Sequence, residues 1–565
     1  MDRRTLLRTG FGAAIGAGLG LSPTTMAHSA PEAAAFDGDG PDLEELRRAL
    51  SRPDYLLIPG QPLYEQLAPP FNRQFASVRP LAIVTPRSPA DIAACVRWAV
   101  RNGVPITPRS GLGHNYAGFS TTGGLLLVLS LMTDVVWQDD AHASAPVVGY
   151  STGTMTKKAG TLLVEAGVTN GMLHPLLERG NIVLPTGRCS SVGVAGLVLG
   201  GGIGFSDKMA GLTCDRLVET RLIGADGEWI TCSEKENADL FWAVRGGAGD
   251  NFGIHFDFTL DYDKYHGTVA FYRFSWSIDT AVDAAVALQR ACADAFRDPR
   301  LHMRIGLGTS GTSAQQVRAN ASVTAIGQFY GSARELRDLL ASALRLGTSS
   351  EQAANAASIR DVTLAEASEL LNEDVAPAPF TGASAVLTEP LPGERIAAVR
   401  DHLLTWPGSS NPDGVDIALF ALGGAVNDVA AEATAYVHRD ALFIAQFNVN
   451  WSERDPASSL RVHREWLDGL TALVPSTRAY QNFPDPYLRD PQQAYYGATT
   501  RGCERSSPPT TRAASSGTPR ASHRNDPVRS EVPGCEPAAT TPPRPSRAAG
   551  RRSHGRDTRS AGRRE

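Results

Sequence analysis

The chain is short of paired cysteines, of long apolar runs and of net charge, and each shortage removes a class of function. Its seven cysteines show neither the spacing of a zinc site nor the density of a disulfide framework. Cys95, Cys189, Cys214, Cys232 and Cys292 are scattered through the part that reads as folded, so no metal is expected. A formal net charge of -5 over 565 residues gives no general pull toward nucleic acid or an anionic membrane, which leaves a small molecule as the expected partner. The apolar run Phe11 to Leu21 is too short and glycine-rich to span a bilayer, which takes about 20 residues, so no stable membrane anchor is expected. A Rossmann site is missing too, because Gly200-Gly-Gly-Ile-Gly204 lacks the G-x-G-x-x-G spacing.

What is present begins with Asp2-Arg-Arg-Thr-Leu-Leu-Arg8, followed by the Gly/Ala-rich run and small residues near Ala27 to Ala35. We read residues 1–35 as a twin-arginine signal, which exports proteins already folded around a cofactor, and expect a secreted protein. With 42% hydrophobic residues the remainder is long enough for two cores. Pro80-Leu-Ala-Ile-Val-Thr-Pro86 reads as a buried strand. A helix follows, capped by Ser88, opened by Pro89 and ended at Asn102-Gly103, with Cys95 on its apolar face. Further strands are expected over Val104 to Pro108, Leu125 to Leu131 and Leu217 to Ile230, the last split at Ala225-Asp-Gly227, and a helix over Met172 to Arg179. From His266 the pattern changes to alternating strands, such as Val269 to Ser275 and Ala445 to Trp451, mixed with alanine-rich helices.

Two glycine-rich segments each carry one nucleophile: His114 in Arg109-Ser-Gly-Leu-Gly-His-Asn-Tyr-Ala-Gly118, and Cys189 in the segment from Gly187 to Gly204. Glycine lets backbone N–H groups approach a pyrophosphate where a Cβ would intervene. Each nucleophile also has a plainer use, His114 as a loop histidine satisfied by backbone and Cys189 as a small buried hydrophobe. Two more segments follow in order, Gly211-Leu-Thr-Cys-Asp-Arg-Leu217 and Asp239-Leu-Phe-Trp-Ala-Val-Arg-Gly-Gly-Ala-Gly-Asp-Asn-Phe-Gly-Ile254.

These four segments together resemble the berberine bridge enzyme-like family of FAD-linked oxidases, within the vanillyl-alcohol oxidase fold group, over roughly Leu63 to Ala498. The resemblance implies an α+β fold of two lobes: a PCMH-type FAD-binding domain over 36–262 and a substrate domain of antiparallel sheet and helices over 263–475. A C-terminal return to the FAD domain over 476–498 is implied as well. By the same resemblance the first loop, with Arg109, Ser110, Gly111, Gly113 and Asn115, holds the pyrophosphate. The second and third loops, with Val192, Gly193, Gly196, Gly200, Gly201, Gly202, Gly204, Gly211 and Asp215, wrap the flavin and ribityl chain, while Gly253 and Ile254 lie near the adenine.

His114 matches the histidine that attacks the flavin 8α-methyl and Cys189 the cysteine that adds at C6, implying FAD held by two covalent bonds. Leu112 makes the first loop one residue longer than the family's Arg-Ser-Gly-Gly-His. Val192 matches a position beside the oxygen-reactive C4a, where valine is associated with oxidase behaviour. Phe483, in Ala479-Tyr-Gln-Asn-Phe-Pro-Asp485, stands where the family commonly places a tyrosine base. Alternation after Thr434-Ala-Tyr-Val-His-Arg439 puts Gln446, Asn448 and Asn450 on one face, suited either to a hydroxyl-rich ligand or to a solvated edge. Tyr116 and His438 are the alternative proton acceptors. The expected activity is oxidation of an alcohol, a sugar hydroxyl or a glycosylated natural product to a carbonyl, with dioxygen reduced to hydrogen peroxide. A dehydrogenase with another acceptor, or an exported flavoprotein without turnover, is the alternative.

After Ala498 the composition breaks: residues 499–565 hold fourteen Arg, no Lys, six acids and no Leu, Ile, Phe, Met, Trp or Tyr. Such a segment cannot bury a core, and we read it as a disordered basic tail. With permitted GC-rich codons for Thr499 to Arg524 and a frame moved by one base, the text becomes Tyr-Ala-Arg-Leu-Arg-Ala-Val-Lys-Ser-Ala-Tyr-Asp-Pro-Gly-Gly-Leu-Phe. That is similar to the family's usual C-terminus, so we read the tail as a frameshift product. Resequencing the gene across this point decides it.

Overall fold

The computed structural model describes residues 40–139, 146–249, 251–456 and 458–499. The twin-arginine segment and the basic tail lie outside the described residues.

The chain opens with a small sheet whose strands lie in the order β1 (Leu56–Leu57), β2 (Ala82–Val84), β4 (Leu125–Val128), β3 (Ile106–Arg109). β2, β4 and β3 run parallel, and β1 runs antiparallel to β2. Helix α1 (Pro89–Asn102) links β2 to β3. The Ser88 hydroxyl accepts from the Asp91 N–H at 3.3 Å, Pro89 occupies a position that needs no donor, and Gly103 ends the helix at φ 62°. Its inner face, Ile92, Cys95, Val96 and Ala99, is buried in the core of this lobe.

A second sheet includes β5 (Gly153–Glu165), on which the short strands Val135–Asp139 and Val147–Tyr150 pair. After helices α2 (Asn170–Gly180) and α3 (Val194–Leu199) it continues with the hairpin β6 (Leu217–Ile223) and β7 (Trp229–Ser233), then β8 (Ile254–Ser277). The first half of β8 pairs with β5 and β6, and its second half pairs with β10 (Ser322–Phe329). The sheet runs on through β9 (Leu301–Thr309), β12 (Val415–Ala421) and β13 (Phe443–Asn450) to β11 (Phe380–Leu387). Position 262, the expected boundary between the two lobes, falls inside one 24-residue strand.

Strand alternation gives the second lobe two unlike faces. One side of the sheet, including Ile305, Ala383, Ile417, Leu419, Ala445, Phe447 and Val449, is buried with Leu288, Val399 and Leu467 from the covering helices. The other side of β12 and β13 carries Asp416, Phe420, Gln446 and Asn448, whose partners lie among the loops of the first lobe and their neighbours. The fold is the expected mixture of helices and antiparallel sheet, with a short parallel element at its start.

Candidate active site

The His114 loop leaves β3 with its arginine already committed. The Arg109 guanidinium donates to the carbonyls of Leu67 at 2.6 Å and of Ser120 at 2.9 and 2.8 Å, so it holds the loop's two ends rather than presenting free N–H groups. Ser110 donates to the Ala166 carbonyl at 2.5 Å, and the Asn115 carboxamide oxygen accepts from the N–H groups of Ala117 and Phe119. Gly111 and Gly113 take φ values of 55° and 73°, where a side chain is strained. Between them the extra residue, Leu112, turns its side chain outward, while its backbone bonds Ser191 and Phe71. The insertion is absorbed as a bulge, and His114 comes to rest with its ring 4.2 Å from that of Phe71, in a stacked pair.

The Cys189 loop is zipped against the His114 loop. Gly111 and Val192 form an antiparallel bridge, and a Cβ on Gly193 would collide with the Ser110 side chain. From the other side Asn170, fully buried at the start of α2, donates its amide to the Cys189 carbonyl at 3.1 Å. The half-buried Cys189 Sγ donates to Glu373 Oε2 at 3.8 Å, and the same carboxylate pairs with Arg188. Burial first, and Glu373 next, push the thiol up to about 12. Burial pushes the His114 imidazole down to about 4, so it is neutral at ordinary pH.

Across from these loops stands a polar ladder on β12 and β13. The buried Tyr116 hydroxyl donates to Asn448 Oδ1 at 2.9 Å and accepts from Gln446 Nε2. Asn448 Nδ2 donates to Asp416 Oδ1 at 2.8 Å, and the other Asp416 oxygen pairs with Arg304. Burial, with the Asp416 carboxylate adding to it, raises the Tyr116 phenol well above its ordinary value. Aromatic rings frame the ladder: Phe380 lies 4.9 Å and Phe483 6.0 Å from the Tyr116 ring.

The remaining glycine segments are pinned by the C-terminal segment. The Gly202 N–H donates to the Tyr480 hydroxyl at 2.8 Å, and Asn482 donates to the Leu197 carbonyl at 3.0 Å. Gly200, Gly202 and Gly204 pack so closely on Asn482, Thr213 and Thr186 that a Cβ would overlap each of them, and Gly201 sits at φ 123°. Gly196, on the outer side of α3, faces open space instead. Gly211 turns at φ 84° into a segment whose Asp215 accepts two bonds of 2.7 Å from Arg439. Gly253, at φ 144°, lets β8 start against Leu222, with Ile254 buried beside it.

Of the sequence candidates, the structure therefore brings together His114, Tyr116, Cys189, Val192, Gln446, Asn448 and Phe483 around one site. It does not bring His438, which receives an N–H from Arg478 at 3.3 Å beside Tyr436 and is pushed down to about 4, mainly by burial. Asn450 turns its amide to the Gly414 carbonyl and stands apart from the ladder's hydrogen bonds. Asp416, Arg304 and Glu373 were missed. The first two are polar residues at inward positions of alternating strands, a signal open to the same reasoning that found Gln446. Glu373 sits in the stretch between Leu371 and Phe380, and no local pattern marks it.

Comparison with known proteins fits this arrangement. Residues 80–233 match the model of an FAD binding domain. An FAD-linked oxidoreductase of Bacillus subtilis, YgaK, is 30% identical over 427 residues, which are 74% of this chain and 85% of that protein. The chain belongs to the family of FAD-linked oxidoreductases. The BBE-like 1 protein of Physcomitrella patens shares the fold, at a TM-score of 0.67 and 23% identity over 83% of this chain and 97% of that one. The glucooligosaccharide oxidase of Acremonium strictum, described with a 6-S-cysteinyl, 8α-N1-histidyl FAD, superposes at 0.65 with 26% identity over 81% and 95%.

The protein is thus an FAD-dependent oxidoreductase, and its own residues suit a flavin. The buried Nε2 of His114 has no hydrogen-bond partner, which leaves it open to a further group. The adjoining loop, bridged to this one at Gly111 and Val192, adds the Cys189 thiol, and two left-handed glycines let the backbone come close.

Proposed function

We propose that this oxidoreductase is an exported oxidase which carries FAD bonded to His114 and Cys189 and converts a sugar or alcohol hydroxyl to a carbonyl, releasing hydrogen peroxide. The ladder of Gln446, Asn448 and Asp416, set among the rings of Tyr116, Phe380 and Phe483, carries the reading: amides and a carboxylate exchange hydrogen bonds with hydroxyls, while aromatic faces cover the apolar C–H faces of a sugar ring. The name of the Acremonium strictum relative and its doubly linked flavin support it, as does the twin-arginine segment for export.

A bound flavin supplies the acceptor for the substrate's hydride and passes the electrons to dioxygen. The chain's residues do the rest. The neutral imidazole of His114 has a free lone pair for its bond. Tyr116, held as a donor to Asn448 and an acceptor from Gln446, orients a substrate hydroxyl rather than taking its proton. Phe483 has no hydroxyl to offer, so Asp416, held between Asn448 and Arg304 with its side chain still partly open, is the carboxylate that receives the proton directly. Val192, half-buried where the two loops meet, leaves room for dioxygen.

The reading is tested by following peroxide formation and flavin bleaching against a panel of oligosaccharides, simple alcohols and glycosylated compounds. Peroxide with a sugar supports it. Bleaching without peroxide assigns a dehydrogenase, and no bleaching with any member overturns it. Flavin remaining in acid-precipitated protein tests the covalent bonds separately.

A further inference from the structure

The segment between Leu371 and Phe380 reaches across to the Cys189 loop and grips it at three consecutive residues. Glu373 pairs with Arg188, receives the Cys189 Sγ at 3.8 Å, and its neighbour Asp374 is bonded by Ser190. The backbone is registered too, with the Glu373 N–H on the Arg188 carbonyl at 3.1 Å and a parallel bridge between Cys189 and Glu373. A carboxylate is thus placed on the proton of the one described cysteine that is neither deeply buried nor embedded in a core. Without a nearby base such a thiol is a poor nucleophile, because only the thiolate attacks.

We propose that Glu373 is the general base that takes the Cys189 thiol proton as the sulfur bonds to the flavin. The proposal rests on the reading of Cys189 as a flavin attachment point. In the overall change the S–H bond and one ring C–H bond are lost and one C–S bond forms. The two electrons and two protons released go to dioxygen, which leaves as hydrogen peroxide. Arg188 completes the device: its guanidinium pairs with the Glu373 carboxylate before the transfer. Once Glu373 is protonated and neutral, the guanidinium faces the nascent thiolate instead.

The test uses His114→Ala protein reconstituted with FAD, so that any flavin retained under denaturing conditions is on Cys189, and reads the mass of the whole chain against time. H114A alone should gain one FAD, and H114A/C189S none. If H114A gains none, the attachment reading fails and the proposal falls with it. Adding Glu373→Ala should slow the gain by roughly 100-fold, Glu373→Asp should recover part of the rate, and formate added to the E373A protein should restore the rate in proportion to its concentration. Formate dependence separates a missing base from a disturbed loop. An E373A rate equal to that of H114A, or a slowed rate that formate leaves unchanged while E373D is equally slow, overturns the proposal.

Discussion

Phe483 is a small departure with a chemical consequence. Its ring stands 6.0 Å from Tyr116 and 5.9 Å from Phe420, bordering the ladder without adding a proton acceptor. Phe483→Tyr should raise kcat by about tenfold and add a new ionisation to its pH profile, since a positioned base contributes on this scale or more; an unchanged kcat and profile would mean that Asp416 already suffices. The converse change, Asp416→Asn, removes the charged partner of Arg304 and the proton-accepting carboxylate beside Asn448 while keeping an oxygen for the Asn448 amide. We expect a fall in kcat of at least about 100-fold, read beside a thermal melt that registers any loss from the unpaired arginine.

At the scale of elements, the glycines divide into those that let the chain pack on itself and one that does not. A Cβ on Gly202 would lie 2.1 Å from Thr213 Oγ1, at φ 86°, so Gly202→Ala should cost about 1–3 kcal/mol in a denaturant titration. On Gly196 a Cβ meets nothing within 4 Å, and in helix α3 alanine is favoured by about 0.5–1 kcal/mol. Gly196→Ala should therefore leave the flavin-free protein as stable as before or more so, yet lower its FAD content if the open side of α3 carries the cofactor. Much of this layer was legible beforehand. Ser88, Pro89 and Gly103 announced α1 to the residue, and the alternation of β13 put Gln446 and Asn448 on the site face. Arg109 and Asp215 show the limit. Sequence pattern marks such residues as important, but whether a charge faces a ligand or a protein carbonyl depends on segments far away in the chain. Asp215 is held by Arg439, and Arg109 is spent on Leu67 and Ser120. Glu373 was invisible for the same reason, since its meaning comes only from a neighbour 184 positions earlier.

At the scale of the molecule, burial of neutral histidines makes the fold sensitive to acid. His255 is pushed down to about 3, and His438 and His463 to about 4, burial being the main cause in each. In the unfolded chain each would titrate near 6.5. As pH falls from about 6.5 toward 4 the unfolded state takes up protons that the folded state refuses, so stability declines by at most about 1.4 kcal/mol per pH unit for each group. The slope flattens below the folded values. Melting temperature followed from pH 7 to pH 4 should fall through this window, and a flat profile would show that the three rings stay accessible to protons in the folded state.

Strand β8 sets the mechanics of the whole. Its first half is stitched to β5 and β6 and its second to β10, and the strand continues through a register shift between Tyr262 and Lys264. A continuous beam of 24 residues cannot flex at its middle without breaking ladder bonds on one side or the other. The two cores therefore stiffen each other: they should melt in a single calorimetric transition, and ligand traffic must pass through moving loops, because the lobes cannot swing apart like a clamshell.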